Sequence, residues 1–153
     1  MWASVKPLKV LLTLYLFVLS LPAFASFEVE DARLRKPLPG QSTAVIYLQV
    51  TNRFERDAQL ASAHLVPVST DAGSRLAWSE PVVEVHEHRH IDGMMSMRRV
   101  SGLTIAAGDT LVFAPGGYHL MVFGLTSAVE ALQLLLRFSD GRELQVPLRL
   151  ESL

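Results

Sequence analysis

From residue 27 onward the apolar residues of this chain alternate with polar ones at a period of two, and no apolar stripe persists at the spacing of a helix. Alternation of that kind puts successive side chains on opposite sides of an extended backbone, so the chain has to build sheets with one face inward and one outward. The expected strands are Phe27–Arg33, Thr43–Thr51, Gln59–Val66, Val82–His90, Met94–Val100, Thr110–Phe113, Tyr118–Leu125, Leu132–Phe138 and Glu143–Leu150, separated by Gly, Pro, Asn and Asp. Short strands at such spacing favour an all-β Greek-key sandwich or barrel. Asp92-Gly93 and Asp140-Gly141 are the best hairpin signals, because both residue types tolerate the positive φ that tight turns need. Leu132–Phe138 would suit a helix by composition, but it runs into Asp140-Gly141 and then an alternating partner segment, which favours a strand. There is no internal repeat and no low-complexity tract.

Residues 1–25 stand outside this pattern. Lys6 and Lys9 precede an apolar run from Val10 to Leu21, and Ala23-Phe24-Ala25 follows, which is the layout of a secretory signal peptide cleaved before Ser26. The run is short for a membrane span of about 20 residues, although an uncleaved anchor is the alternative. Periplasmic export is therefore expected, and the absence of cysteine rules out a lipid anchored on that residue. Loss of the segment removes two lysines and no acid, moving the net charge from −1 to −3 and leaving Lys36 as the last lysine. A weakly acidic surface offers no footprint for nucleic acid. The remaining residues, 26–153, are the right length for one domain of about 100–150 residues, expected to be a monomer and large enough to bury a core without disulfides.

Within that domain the sulfur and imidazole groups are bunched. Every methionine after the initiator lies between 94 and 121, and four of the five histidines lie between 86 and 119. Thioether sulfur and neutral imidazole are donors that select Cu(I), and a thioether needs no deprotonation to bind. Met94, Met95, Met97 and Met121 beside His86, His88, His90 and His119 therefore suggest a copper site. Methionine more often fills gaps in cores, but gap-fillers would be scattered and not interleaved with histidine. A carrier using only these donors would also avoid oxidation to a disulfide in an oxidising compartment.

A two-residue turn at Asp92-Gly93 would set Ile91 opposite Met94, His90 opposite Met95 and His88 opposite Met97, with His86 diagonal to Met97. His86, His88, His90, Met95 and Met97 would then share one face, while Glu87 would oppose Arg98 on the other. His119-x-Met121 projects both donors to one side of its strand, with Leu120 and Val122 on the core side. Val83 and Val85 likewise point inward while Glu84 and His86 point outward, which places the metal at the rim or surface of the barrel.

These residues resemble the periplasmic copper chaperones called PCuAC. The resemblance is carried by the combined spacing of His86, Met97 and His119-x-Met121. It is carried also by Val-Glu-Val-His-Glu at 83–87, Asp92-Gly93-Met94, Met97-Arg98 and the run from Pro115 to Leu125. Ala32 to Arg35, Pro39-Gly40 and Ala44 to Asn52 look like the opening strands of that family. The resemblance implies a cupredoxin-like β-barrel that binds one Cu(I) through His86, Met97, His119 and Met121. It also implies delivery of copper to the copper site of cytochrome c oxidase; by ligand type alone the copper-accepting protein could instead be a thiol-bearing copper-insertion protein, because thiolates bind Cu(I) more strongly. The chain departs from the family in a longer 59–81 segment and in lacking a His/Met-rich C-terminal tail. His88, His90 and Met95 would make an auxiliary site, and His88 with His90 could partly replace that tail, including for Cu(II).

Each residue also has a plainer reading. His88, His90 and Met95 could form only an exposed polar edge, Met94 fits turn packing, and His64 stands alone in an apolar strand as a structural residue. Asn52 reads as a turn former and Tyr118 as a strand residue beside the metal. Enzymatic functions fare poorly. A blue-copper carrier needs a thiolate, zinc would be ill served by clustered methionines, and no hydrolase triad has a local signature. A periplasmic copper store and a metal-free interaction module remain as alternatives to a chaperone.

Overall fold

The computed structural model describes residues 25–68, 78–91, 93–125 and 131–152. The leader expected at 1–25, apart from its last residue, lies outside them, as do residues 69–77 of the long 59–81 segment. Alternation becomes strand wherever it was read. The strands are β1 (Phe27–Arg35), β2 (Thr43–Asn52), β3 (Ala58–Pro67), β4 (Val82–Ile91), β5 (Met94–Arg99), β6 (Thr104–Ile105), β7 (Thr110–Phe113), β8 (Tyr118–Phe123), β9 (Leu132–Phe138), β10 (Glu143–Pro147) and β11 (Arg149–Glu151). No helix occurs among the described residues, and hence none there is long and apolar enough to cross a membrane.

Two sheets share these strands. The larger runs β11-β1-β2-β7-β8-β4-β5 and the smaller β10-β9-β3-β6. Their inner faces enclose one core. Leu34, Ile46, Leu48, Val50, Phe113, Leu120 and Val122 come from the larger sheet, and Leu60, Leu65, Leu134, Leu136, Phe138 and Val146 from the smaller. Full burial of such a side chain is worth about 1.5–3 kcal/mol, so this layer supplies most of the drive to fold. Leu132–Phe138 is a strand, paired with β3 and β10, and its alternate leucines 132, 134 and 136 all enter the core.

The expected last strand, Glu143–Leu150, divides in two. β10 pairs with β9, whereas β11 pairs in parallel with β1, Arg33 beside Arg149 and Leu34 beside Leu150. The break falls just after Pro147, at Leu148, whose N–H makes a last bond to the Leu132 carbonyl before the chain changes sheets; Pro147 itself has no N–H to give the ladder. The two-residue β6 was not expected; too short to show a period, it is held by its pairing with Ala58 and Gln59 of β3.

β2 is the spine of the larger sheet. Its first half pairs with β8 and its second half with β7, so β7 and β8 lie along β2 as one interrupted strand. Residues 114–117 form the interruption, closed by hydrogen bonds from the Gly117 N–H to the Ala114 carbonyl and from the Ala114 N–H to the Tyr118 carbonyl. Gly116 takes φ +82°, a conformation costly for any residue with a Cβ. That loop sets β8 beside β4, and both candidate donor strands thereby become neighbours.

Candidate metal centre

The β4–β5 hairpin has the register the turn residues predict. Ile91 pairs with Met94, His90 with Met95, His88 with Met97 and Glu87 with Arg98, and Gly93 adopts φ +79°. Glu87 stands opposite Arg98 as expected, and directs its carboxylate to Arg89 on its own strand, at 2.7 Å. On the other flank of β4, His86 pairs with His119 and Glu84 with Met121. The outer face of the larger sheet thus carries His86, His88 and His90 from β4, Met95 and Met97 from β5, and His119 and Met121 from β8.

Depth within this face differs sharply. His119 is only 3% exposed, whereas Met97 is 48% exposed and Met95 69%. The outward direction expected for the donors is therefore observed, but the expected rim position does not describe His119. It lies beneath His88 and His86, with ring centroids 4.7 Å and 6.1 Å away. Met121 is half-buried beside it. Met94 is 72% exposed and does not pack in the turn. Tyr118 packs against the core, on the side of β8 opposite His119.

Three buried ring nitrogens on this face, His86 Nδ1, His88 Nδ1 and His119 Nε2, have no hydrogen-bond partner among the described residues. Their ring-mates explain why two of them carry lone pairs. His119 donates Nδ1–H to the Gly117 carbonyl at 3.1 Å, which leaves Nε2 unprotonated in the neutral ring. His86 donates Nε2–H to the Glu84 carboxylate at 3.0 Å, and in the neutral tautomer with that bond Nδ1 carries the lone pair. In metal sites generally, a hydrogen bond of this kind from the second ring nitrogen fixes the tautomer and orientation of the imidazole. Glu84 is anchored in turn by Arg99 at 2.9 Å. The Gly117 carbonyl also accepts the His88 backbone N–H at 3.2 Å, tying β4 to the start of β8. Burial lowers the pKa of His119 below its ordinary 6.5, and the neighbouring His88 and His86 add to that effect against the opposing hydrogen bond to Gly117.

Among the described residues no group of three or more His, Asp or Glu side chains forms a metal-holding cluster by itself. A centre here would draw on thioethers, and these are present on both flanks: Met97 directly opposite His88, Met121 two residues from His119 on the same side of β8. Sequence reasoning placed five candidate donors on one face of the hairpin and His119 with Met121 on one side of their own strand, but missed the β4–β8 pairing that joins them and the contacts of Glu84 and Gly117. Glu84 shares a face with His86 at a spacing of two residues, the signal that could have found it.

His64 and Asn52 lie elsewhere. His64 bridges Glu80 at 2.8 Å and Ser62 at 3.1 Å. Asn52 is wholly buried. Its side-chain amide donates to the carbonyls of Arg56 and Ile105, at 2.8 and 3.0 Å, and its oxygen accepts the Phe54 N–H at 3.1 Å, so it joins two loops as well as forming a turn.

Comparison with known proteins adds three findings. A family model described as "Putative lipoprotein LpqE-like" matches residues 27–149. A putative lipoprotein of Leifsonia xyli subsp. xyli is 43% identical over 63 residues, which span 39% of this chain and 38% of that protein's length. The fold is similar to a copper-bound PCuAC domain from PmoF2, with TM-score 0.58 and 21% identity over 84% of this chain and 96% of the other. It is similar also to the CuI form of DR1885 from Deinococcus radiodurans, with TM-score 0.56 and 24% identity over 84% and 81%. The PCuAC likeness seen in the motifs thus reappears in the fold, whereas the matching family model carries the LpqE-like description.

Proposed function

The chain belongs to the LpqE-like family, and from that premise we propose that it is a non-catalytic Cu(I) carrier of the cell envelope. In this reading the mature domain, residues 26–153, binds one ion through His86 Nδ1, His119 Nε2 and the sulfurs of Met97 and Met121, and passes it to a copper-accepting protein. The observation that carries the reading is the set of unpaired buried imidazole nitrogens beside half-buried and exposed thioethers. Leaving a buried polar atom unsatisfied costs about 1–3 kcal/mol, an expense that makes sense where a metal completes the bonding. His88 lies close enough to His119 to serve as a third imidazole during exchange. Support for copper in particular comes from ligand chemistry, since two thioethers with two imidazoles suit the soft ion. The copper-bound state of two proteins of similar fold points the same way. Export fits the leader-like first 25 residues and the lipoprotein description of the family, although this chain holds no cysteine to lipidate. Delivery towards cytochrome c oxidase assembly is the recipient this reading favours.

The test is an anaerobic titration of residues 26–153 with Cu(I) in competition with Zn(II), repeated on Met97→Leu and Met121→Leu. One Cu(I) should bind tightly and Zn(II) weakly. Each substitution keeps volume and apolarity but removes a donor, and should weaken Cu(I) binding by at least about tenfold, or ~1.4 kcal/mol, with little change in apo-protein melting temperature. Equal affinity for zinc, or a collapsed fold with copper affinity intact, would overturn the reading.

A further inference from the structure

The donors on the β4–β5 hairpin form a series with a direction. His90 opposes Met95, and two residues further in His88 opposes Met97; beyond that His86 pairs with His119 across the strand. At about 3.3 Å per strand residue, successive rungs are roughly 7 Å apart, a gap that unbranched methionine side chains can span by changing rotamer. Exposure falls along the series, from 69% at Met95 to 48% at Met97 and 3% at His119. The residue after Met97 on the same face is Arg99, which offers no metal donor and is held at Glu84, so the series of donors continues only across β4 to β8.

Resting on the soft-metal reading above, we propose that His90 and Met95 form a second, outer Cu(I) site, an entry station that passes the ion to His88 and Met97 and so to the buried centre. With two donors it is the weaker of the two sites. The transfer is ligand exchange alone. Bonds from the ion to Met97 sulfur and His88 Nδ1 form as those to Met95 sulfur and His90 break. Copper stays Cu(I), no electron moves, and neutral imidazole and thioether release no proton. On the opposite face Glu87 and Arg89 pair with each other, so the carboxylate beside the entry rung is already engaged and does not compete for the ion.

Methyl NMR of protein carrying 13C-methyl methionine, titrated anaerobically with Cu(I), tests this directly. The first equivalent should shift the Met97 and Met121 methyls, and the second should shift Met95. In Met95→Leu, and independently in His90→Gln, the second step should vanish, and uptake of copper from a Cu(I)–chelator complex into the inner site should slow about tenfold. Met97 and Met121 shifting while Met95 stays unmoved beyond two equivalents would overturn the outer site. Unchanged uptake in both variants would overturn its role as entry. If no methionine methyl moves at all, the underlying soft-metal reading fails instead, and the two failures are thereby distinguished.

Discussion

Burial separates His119 from the other imidazoles, and its consequence is measurable in the apo-protein. With its pKa held below 6.5, the folded state prefers a neutral ring, whereas the unfolded chain takes up a proton near the ordinary value. The unfolded state therefore binds more protons between the folded pKa and 6.5, and stability falls as pH drops through that window, with no further loss from this residue below it. Urea denaturation from pH 7.5 to 5 should show this fall, and His119→Asn should flatten it relative to the native sequence; equal slopes would mean that His119 carries none of the effect. Glu84 is tested through the ring it orients. Glu84→Ala removes the acceptor for His86 Nε2–H and releases Arg99, and losses of outer hydrogen bonds of this kind weaken metal binding by about 10–100-fold. Glu84→Gln keeps an acceptor oxygen and should recover most of that affinity in the same Cu(I) competition assay. A Gln variant as weak as the Ala variant would assign the effect to charge and not to ring orientation.

Among the elements, the hairpin was the most legible part of the chain. A turn of two residues fixes its register, and register fixes which side chains meet, so the pairing of His88 with Met97 could be read from Asp92-Gly93 and the alternation around it. Depth could not be read that way. Alternation says which side of a sheet His119 faces, but not that other side chains on the same outer face would cover it. The division of the last strand was hidden for a related reason: residues on both sides of Pro147 alternate without interruption, and only pairing with β1 shows that they serve different sheets. Asn52 looked like a turn residue because its local bond to Arg56 is a turn contact, whereas its bond to Ile105 joins a segment that sequence spacing does not bring near. Asn52→Ala would leave those carbonyls buried without a donor and should cost about 2–3 kcal/mol, seen as a lower urea midpoint with an unchanged m value. A change within a few tenths of a kcal/mol would show that water replaces the amide.

For the molecule as a whole, the copper-carrier proposal predicts, from the position of the candidate donors, how copper should leave. β5 is an edge of the larger sheet and carries Met97, so an acceptor can approach that donor while His119 stays covered. Copper transfer to an apo-acceptor bearing thiolates should be faster than spontaneous release, with a rate rising in proportion to acceptor concentration. A rate independent of acceptor and equal to release into a small chelator would favour storage over delivery. The opposite edge of the same sheet has another consequence. β11 zips in parallel along β1, which joins residues 33–35 to residues 149–151, while most of the domain lies between them in sequence. A chain emerging amino end first, from a ribosome or an export channel, cannot complete that edge until residue 149 is out. Until then the outer edge of β1 stays without its partner, and the contact that closes it spans so much chain that loop entropy makes it slow to form.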